Sequence, residues 1–289
     1  MTQRLLICTD LDRTLLPNGP QAESSGARSC FAQLCETGKV ALAYVSGRDR
    51  ALVEEAIKAY DLPKPDYVIG DVGSTLYRCN DPVSWSIVTE WEDIIRQDWN
   101  GYTHQDLQQL FLNWQDLRLQ EPNKQNRYKL SFYIDLDCDQ LRLREKMEER
   151  LQRLGVKASL IWSVDEAAYV GLLDLLPQQA TKYHAVEFLR RLMSYELAET
   201  LFSGDSGNDL DVLASPIPSV LVANAQPEVQ QEARRLVIER GTEQAFYLAE
   251  GGYLGMNGCY SAGILEGVAH YHPFFAKQLL ENGCYVTRN

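Results

Sequence analysis

Two short stretches, residues 4–9 and 40–45, are almost wholly apolar, and each breaks off abruptly into polar residues. A strand with one wet face alternates apolar and polar side chains, whereas a run without alternation has both faces covered, as in a parallel sheet lying between helices. Parallel neighbours need a crossover, and residues 25–36 supply a helix for it after a polar loop at 17–24. A second helix is expected at 51–60, a third strand begins at 67–69, and another at 200–203 stops at Gly204. These pieces predict an α/β chain built on a doubly wound parallel sheet.

The middle of the chain reads differently. Trp85, Trp91, Trp99 and Trp114 are scattered among polar residues, and 129–135 alternates as a half-buried strand does. Residues 139–154 form an amphipathic helix with Leu143, Met147, Leu151 and Leu154 on one face and Gly155 to end it. Further strands are expected at 156–162 and 169–175. Strands and a helix set between two stretches of parallel pattern predict an inserted α+β domain at 80–178, which divides the core into 1–79 and 179–289. Pro177 is its expected exit hinge.

Composition narrows the chemistry. A chain of 289 residues, 45% hydrophobic, can bury a core in one or two domains. Its formal net charge of -12 argues against a nucleic-acid partner, which needs a basic surface. A phosphate ester would also be repelled overall, so binding one requires concentrated local positive charge. Seven cysteines, an odd number with no Cys-x-x-Cys pair, disfavour a disulfide framework and a structural zinc site and point to a reducing compartment. Residues 1–8 hold only a short apolar run, and no apolar segment reaches membrane-spanning length. A soluble, cytoplasmic protein is expected, with a small-molecule rather than a membrane partner, as a monomer or homodimer.

Four segments carry chemistry. Asp10-Leu11-Asp12-Arg13-Thr14 directly follows the first apolar run. Two carboxylates two residues apart where a strand stops can both face the crevice at the carboxyl edge of a parallel sheet, where α/β proteins bind ligands. A capped polar loop is the plainer reading of the same string. Ser46-Gly47-Arg48 follows the second run and precedes a helix, so its hydroxyl and N–H groups suit a phosphoryl oxygen, though Ser46 could simply cap that helix. In Gly204-Asp205-Ser206-Gly207-Asn208-Asp209 the glycines permit a tight turn that points Asp205 and Asp209 inward, an arrangement for a hard cation such as Mg2+. A calcium-binding EF-hand fits less well, because its ligands would stand at alternate positions with a later Glu. Lys182 opens a predicted helix, although a lysine alone is most simply a solvated surface group.

In order and setting, Asp10 and Asp12, then Ser46, then Lys182, then Asp205 and Asp209 resemble the motif series of the haloacid dehalogenase-like (HAD) superfamily. Only 31 residues separate Thr14 from Ser46, too few for a cap domain as well as the helix, whereas 134 separate Gly47 from Lys182. The chain therefore resembles the type II branch, a Rossmann-like core carrying an α+β cap. Asp71-Val72-Gly73-Ser74, Asp174-Leu175-Leu176-Pro177-Gln178, Asn224-Ala225-Gln226-Pro227-Glu228 and Ser261-Ala262-Gly263-Ile264-Leu265-Glu266 are similar to strings of sucrose-phosphate phosphatases, as is Arg127-Tyr128-Lys129-Leu130-Ser131 in the insert. One departure is Tyr183 after Lys182, where the family usually has glycine.

The resemblance implies a magnesium-dependent phosphoric monoester hydrolase for a sugar phosphate, sucrose 6-phosphate first, with the phosphates of mannosylfructose, kanosamine and glucosylglycerol as alternatives. It implies that Asp10 forms a phosphoaspartate while Asp12 protonates the leaving oxygen and later takes a proton from water. Mg2+ would be held by the Asp10 and Asp205 carboxylates and the main-chain carbonyl of Asp12, with Asp209 directing bound water. Lys182 and Ser46 complete the charge balance, and Thr14, Gly47, Arg48, Lys129, Asp174 and Asn208 contact the substrate. Glu121, Asn123 and Arg127 are further candidates in the cap, and Trp162 could stack on a sugar. The rivals are a phosphomutase, which would keep its phosphoenzyme for return transfer, and a non-enzymatic sugar- or cation-binding module. At the end of the chain, Ala262, Ile264, Leu265, Val268 and Ala269 predict a packed helix, and 274–289 a peripheral extension. His270 and His272, two residues apart, do not share a helix face and so are expected to pack rather than bind metal.

Overall fold

Twelve strands occur among the described residues: β1 Leu5–Thr9, β2 Val40–Val45, β3 Tyr67–Gly70, β4 Thr75–Cys79, β5 Trp85–Ile87, β6 Arg118–Leu119, β7 Leu130–Ile134, β8 Ala158–Asp165, β9 Val170–Pro177, β10 Thr200–Gly204, β11 Ser219–Leu221 and β12 Phe246–Leu248. The computed structural model describes residues 3–80, 84–165, 168–281 and 283–284. The chain divides into two compact units, one of residues 1–73, 77–86 and 182–289, the other of 74–76 and 87–181.

The first unit holds the α/β core that the apolar runs predict. β1 and β10 are buried at every position and β2 at all but its first, and β1 pairs in parallel with β2 on one side and β10 on the other. The sheet order is β12-β11-β10-β1-β2-β3-β4-β5. From β1 the chain winds outward through β2 and β3, and later through β10, β11 and β12 on the opposite side of β1. The direction of winding thus reverses between β1 and β10, and the carboxyl end of such a reversal opens a crevice.

Local chemistry sets the helices that make the crossovers. Ala27–Cys35 starts after Gly26 in the left-handed region (φ 77) and buries Ala27, Cys30, Phe31 and Leu34, the spacing of a single helical face. Arg50–Ala59 is capped by Asp49, whose side chain accepts the Leu52 N–H. The sequence places 274–289 at the periphery, but 274–281 belong to the helix Pro273–Glu281, which puts Phe275 and Leu279 into the core, followed by Cys284. Two apolar residues four apart complete one short buried face there, too brief a pattern to read as core beforehand. Residues 282 and 285–289 lie outside the described part. All seven cysteines are free thiols, and no helix among the described residues is long and apolar enough to cross a membrane.

His270 and His272 pack rather than converge. The His270 ring stacks on Tyr247 with centroids 4.3 Å apart, and His272 meets the edge of Phe275 at 6.3 Å. The His272 Nε2 is buried with no hydrogen-bond partner, and burial pushes its pKa down to about 4. Since this folded value lies below the ordinary value of 6.5, the stability is complete above pH 6.5 and is lost as pH falls toward 4, while the unfolded chain gains a proton that the fold rejects. Replacement by Phe is expected to flatten this slope, recovering about 2 kcal/mol at pH 4.5 relative to the native chain, read from denaturant midpoints across the range. An unchanged slope would show that His272 is protonated in the fold.

The second unit is an antiparallel sheet, β6-β7-β9-β8, accompanied by helices Thr89–Ile95, His104–Phe111 and Gln140–Arg153. The last of these buries Leu143, Met147 and Leu151, with Leu154 only half-buried at its cap, and ends before Gly155 at φ 68. Trp91 and Trp99, which look isolated in the sequence, are 1% and 0% exposed and anchor this core.

Candidate active site

The pairing Thr9↔Ser203 sends the segments after β1 and β10 out of the sheet side by side, bringing Asp10 and Asp205 to one edge. The second segment then folds back sharply. The Asp209 carboxylate accepts the N–H groups of Asp205 and Ser206, both at 3.1 Å. A Cβ on Gly204 would lie 2.5 Å from the Asp209 carboxylate carbon, so glycine is what allows the return.

Lys182, first residue of the helix Lys182–Leu192, reaches into this turn. Its ammonium donates to Asp10 Oδ1 (3.0 Å), Asn208 Oδ1 (2.8 Å) and Asp209 Oδ1 (2.7 Å), so that all three protons are used. Lys182 is 2% exposed and Asp10 5%. One carboxylate oxygen each from Asp10, Asp205 and Asp209 lie within 4.8 Å of one another.

Three buried carboxylates facing one ammonium leave an excess of negative charge. Burial pushes the Asp10 carboxyl up to about 8 against the pull of Lys182, and the Asp209 and Asp205 anions add to the rise. Burial and the Asp209 anion push Asp205 up to about 6, with Arg13 and the Thr14 hydroxyl pulling the other way. Burial alone would lower Lys182, but Asp10 and Asp209 outweigh it and hold the ammonium above its ordinary value.

Asp12 is turned to a different partner. The Arg48 guanidinium grips its carboxylate through two hydrogen bonds of 2.7 and 2.6 Å, and Asn18 adds a third at 2.7 Å. Burial would raise the Asp12 carboxyl, but the Arg48 bonds outweigh it and hold it below the usual range. Ser46 is buried, and its Oγ accepts the Arg48 N–H at 3.2 Å, while Gly47 is exposed between them. The Thr14 hydroxyl donates to Asp205 Oδ1 at 3.2 Å.

The first unit therefore joins Asp10, Thr14, Lys182, Asp205, Asn208 and Asp209 in one contact network, and pairs Asp12 with Arg48. Lys129 and Asp174 belong to the second unit, 3.9 Å apart, where Asp174 also accepts from Ser131 Oγ at 2.5 Å. Arg127 pairs with Glu92, Glu121 accepts from Tyr133, Asn123 is exposed, and the Trp162 ring lies against Gly171.

A family model for sucrose-6F-phosphate phosphohydrolases matches residues 3–272. The chain belongs to that family. It is 53% identical over 274 residues to a protein of Nitrosococcus oceani named as a HAD-like hydrolase, a match covering 94% of this chain and 73% of that one. It is 30% identical over 230 residues to the mannosylfructose-phosphate phosphatase of Agrobacterium fabrum, covering 78% and 85%. The X-ray structure of the sucrose-phosphatase of Synechocystis in complex with sucrose and phosphate superposes with a TM-score of 0.68 at 26% identity, covering 93% of this chain and 98% of that one. The chain spans about half the length of the sucrose-phosphatases of Arabidopsis thaliana and Nicotiana tabacum that it matches. Membership in the sucrose-6F-phosphate phosphohydrolase family makes the chain a phosphoric monoester hydrolase of the HAD type.

Three residues that the sequence did not single out shape the family's first motif in this chain. The Arg13 backbone is left-handed (φ 59), with its N–H bonded to Asn18 Oδ1 at 2.8 Å and its carbonyl to Asn224 Nδ2 at 2.6 Å. Asn224 lies in a string similar to one of the family, and nothing in that string shows that it reaches residue 13.

Proposed function

We propose that this chain is a Mg2+-dependent phosphatase that converts sucrose 6-phosphate into sucrose and phosphate through a phosphoaspartate on Asp10. The observation that carries this reading is the buried Lys182 ammonium, bonded at once to Asp10 and Asp209 beside Asp205 at the carboxyl edge of the sheet.

The residues fit a hard divalent cation, because three clustered carboxylate oxygens with one ammonium between them want further positive charge. Asp209 already spends both oxygens on Lys182 and on main-chain N–H groups, so the Asp10 and Asp205 carboxylates, with the Asp12 main-chain carbonyl, would hold Mg2+ and Asp209 would direct bound water. Bound Mg2+ would offset the repulsion between the Asp10 anion and a phosphate dianion.

The chain's own residues account for the rest. The Asp10 carboxylate attacks phosphorus in line, forming its bond as the bond to the sugar oxygen breaks. Asp12 donates a proton to that oxygen. Water then attacks the phosphoaspartate while Asp12 takes the water's proton, releasing phosphate and restoring Asp10. Held by Arg48, Asp12 begins as an anion. In this reading the phosphoryl group draws Arg48 to its own oxygens, and Asp12, left without its counter-charge, takes up the proton that it delivers. Choice of sugar is assigned to the second unit, with Lys129 and Asp174 as its polar readers.

The match to a mannosylfructose-phosphate phosphatase favours one second reading, a phosphorylated disaccharide other than sucrose 6-phosphate. Phosphate release from sucrose 6-phosphate, mannosylfructose phosphate and the fructose and glucose 6-phosphates, each with and without Mg2+, separates the two. Sucrose 6-phosphate is expected to lead in kcat/KM by about tenfold or more, with turnover lost on chelation. Preference for mannosylfructose phosphate transfers the assignment, and Mg2+-independent hydrolysis would reject the proposed site.

A further inference from the structure

Arg13 stands at the edge of the acidic cluster in an unusual condition. Its Nε lies 3.6 Å from Asp205 Oδ2, close enough for charge attraction and too far for a hydrogen bond. Both Nε and Nη2 are buried without an acceptor, although the side chain as a whole is one-third exposed. The placement is built in, since Asn18 and Asn224 grip the left-handed backbone of Arg13 from both sides. Asn224 is itself fixed by accepting the Tyr260 N–H. Buried guanidinium donors left without acceptors are costly, so what offsets them is charge. Lys182 supplies one positive charge against Asp10, Asp205 and Asp209, and it touches Asp10 and Asp209 but not Asp205.

We infer that Arg13 is the resident counter-charge of Asp205, a positioning residue that stabilises the cluster without its cation and competes with a divalent cation for that carboxylate. Binding there is consequently weaker than three carboxylates would otherwise make it. This rests on the proposed Mg2+ site.

Calorimetric titration of the full chain with Mg2+, and with Mn2+ as a tighter-binding probe, tests the inference without using activity. Arg13→Gln is expected to bind both ions on the order of tenfold more tightly than the native chain, and Arg13→Lys to stay within about twofold. Without metal the Gln variant should melt lower, and saturating Mg2+ should remove the difference. Arg13→Asn, whose side chain suits a left-handed backbone, serves if the Gln variant does not fold. Equal or weaker binding by the charge-removed variants, with the native chain still binding, overturns the role of Arg13 and leaves the metal site standing. Failure of the native chain to bind either ion at millimolar concentration removes the site itself, and this inference with it.

Discussion

Asp10→Asn is expected to abolish phosphate release, by at least about 10⁴-fold in kcat, while leaving the fold intact or slightly more stable. An amide has nearly the shape of the carboxylate and can still accept from Lys182, but it lacks the anionic oxygen that must bond to phosphorus. Stability is expected to hold because the site carries excess negative charge, and burial with the Asp209 and Asp205 anions already pushes the Asp10 carboxyl upward. Removing one anion relieves repulsion that an uncharged neighbour does not restore. Acid-quenched native enzyme should carry a phosphoryl group on the peptide containing Asp10, and the Asn variant none. A residual rate within tenfold of the native chain would mean that phosphorus is attacked by something else, most simply water, and the covalent route would have to be abandoned.

What the sequence could reveal here follows from the range of each interaction. β1, β2 and β10 were legible because burial on both faces writes itself into consecutive residues. Asp10 and Asp205 were legible for a related reason, since each stands within a residue of such a run and a parallel sheet puts strand ends together. The grip of Arg48 on Asp12 was not legible, because the partners stand 36 positions apart in the sequence and nothing local distinguishes an arginine that pairs from one that is solvated. Arg13 was hidden by backbone shape. A left-handed φ is unfavourable for arginine in isolation and is imposed by Asn18 and by the distant Asn224. Trp91 and Trp99 misled for the opposite reason. Each lies in a helical segment of seven residues or fewer, too short to display a full amphipathic repeat, so two of the largest buried side chains resembled isolated aromatics in a polar stretch.

Lys182→Met should damage activity and stability together, and the pH dependence of the stability loss identifies its cause. Met fills a similar volume without charge, so the cavity left is small and the main effect is to strand Asp10 and Asp209 as buried anions. Removing one partner of a buried ion pair typically costs about 3–5 kcal/mol. The native chain already loses stability as pH rises, because Asp10 and Asp205 are held above their ordinary values, and Lys182 limits that loss by compensating part of the charge. Without it, Asp10 is stable in the fold only when protonated, so its folded pKa rises further above the unfolded one. A carboxyl raised in this way destabilises the fold at high pH, and the loss fades as pH falls through the folded value and the proton is retained. The deficit of the Met variant in denaturant unfolding should therefore be largest near pH 8 and shrink by at least half near pH 5. Simple loss of packing would give a deficit independent of pH. Combining Lys182→Met with Asp209→Asn should cost less than the two changes taken separately, because the second removes one of the anions that the first strands. Strict additivity in that cycle would mean that the ammonium does not hold the two carboxylates together, and the charge arrangement proposed for catalysis would lose its foundation.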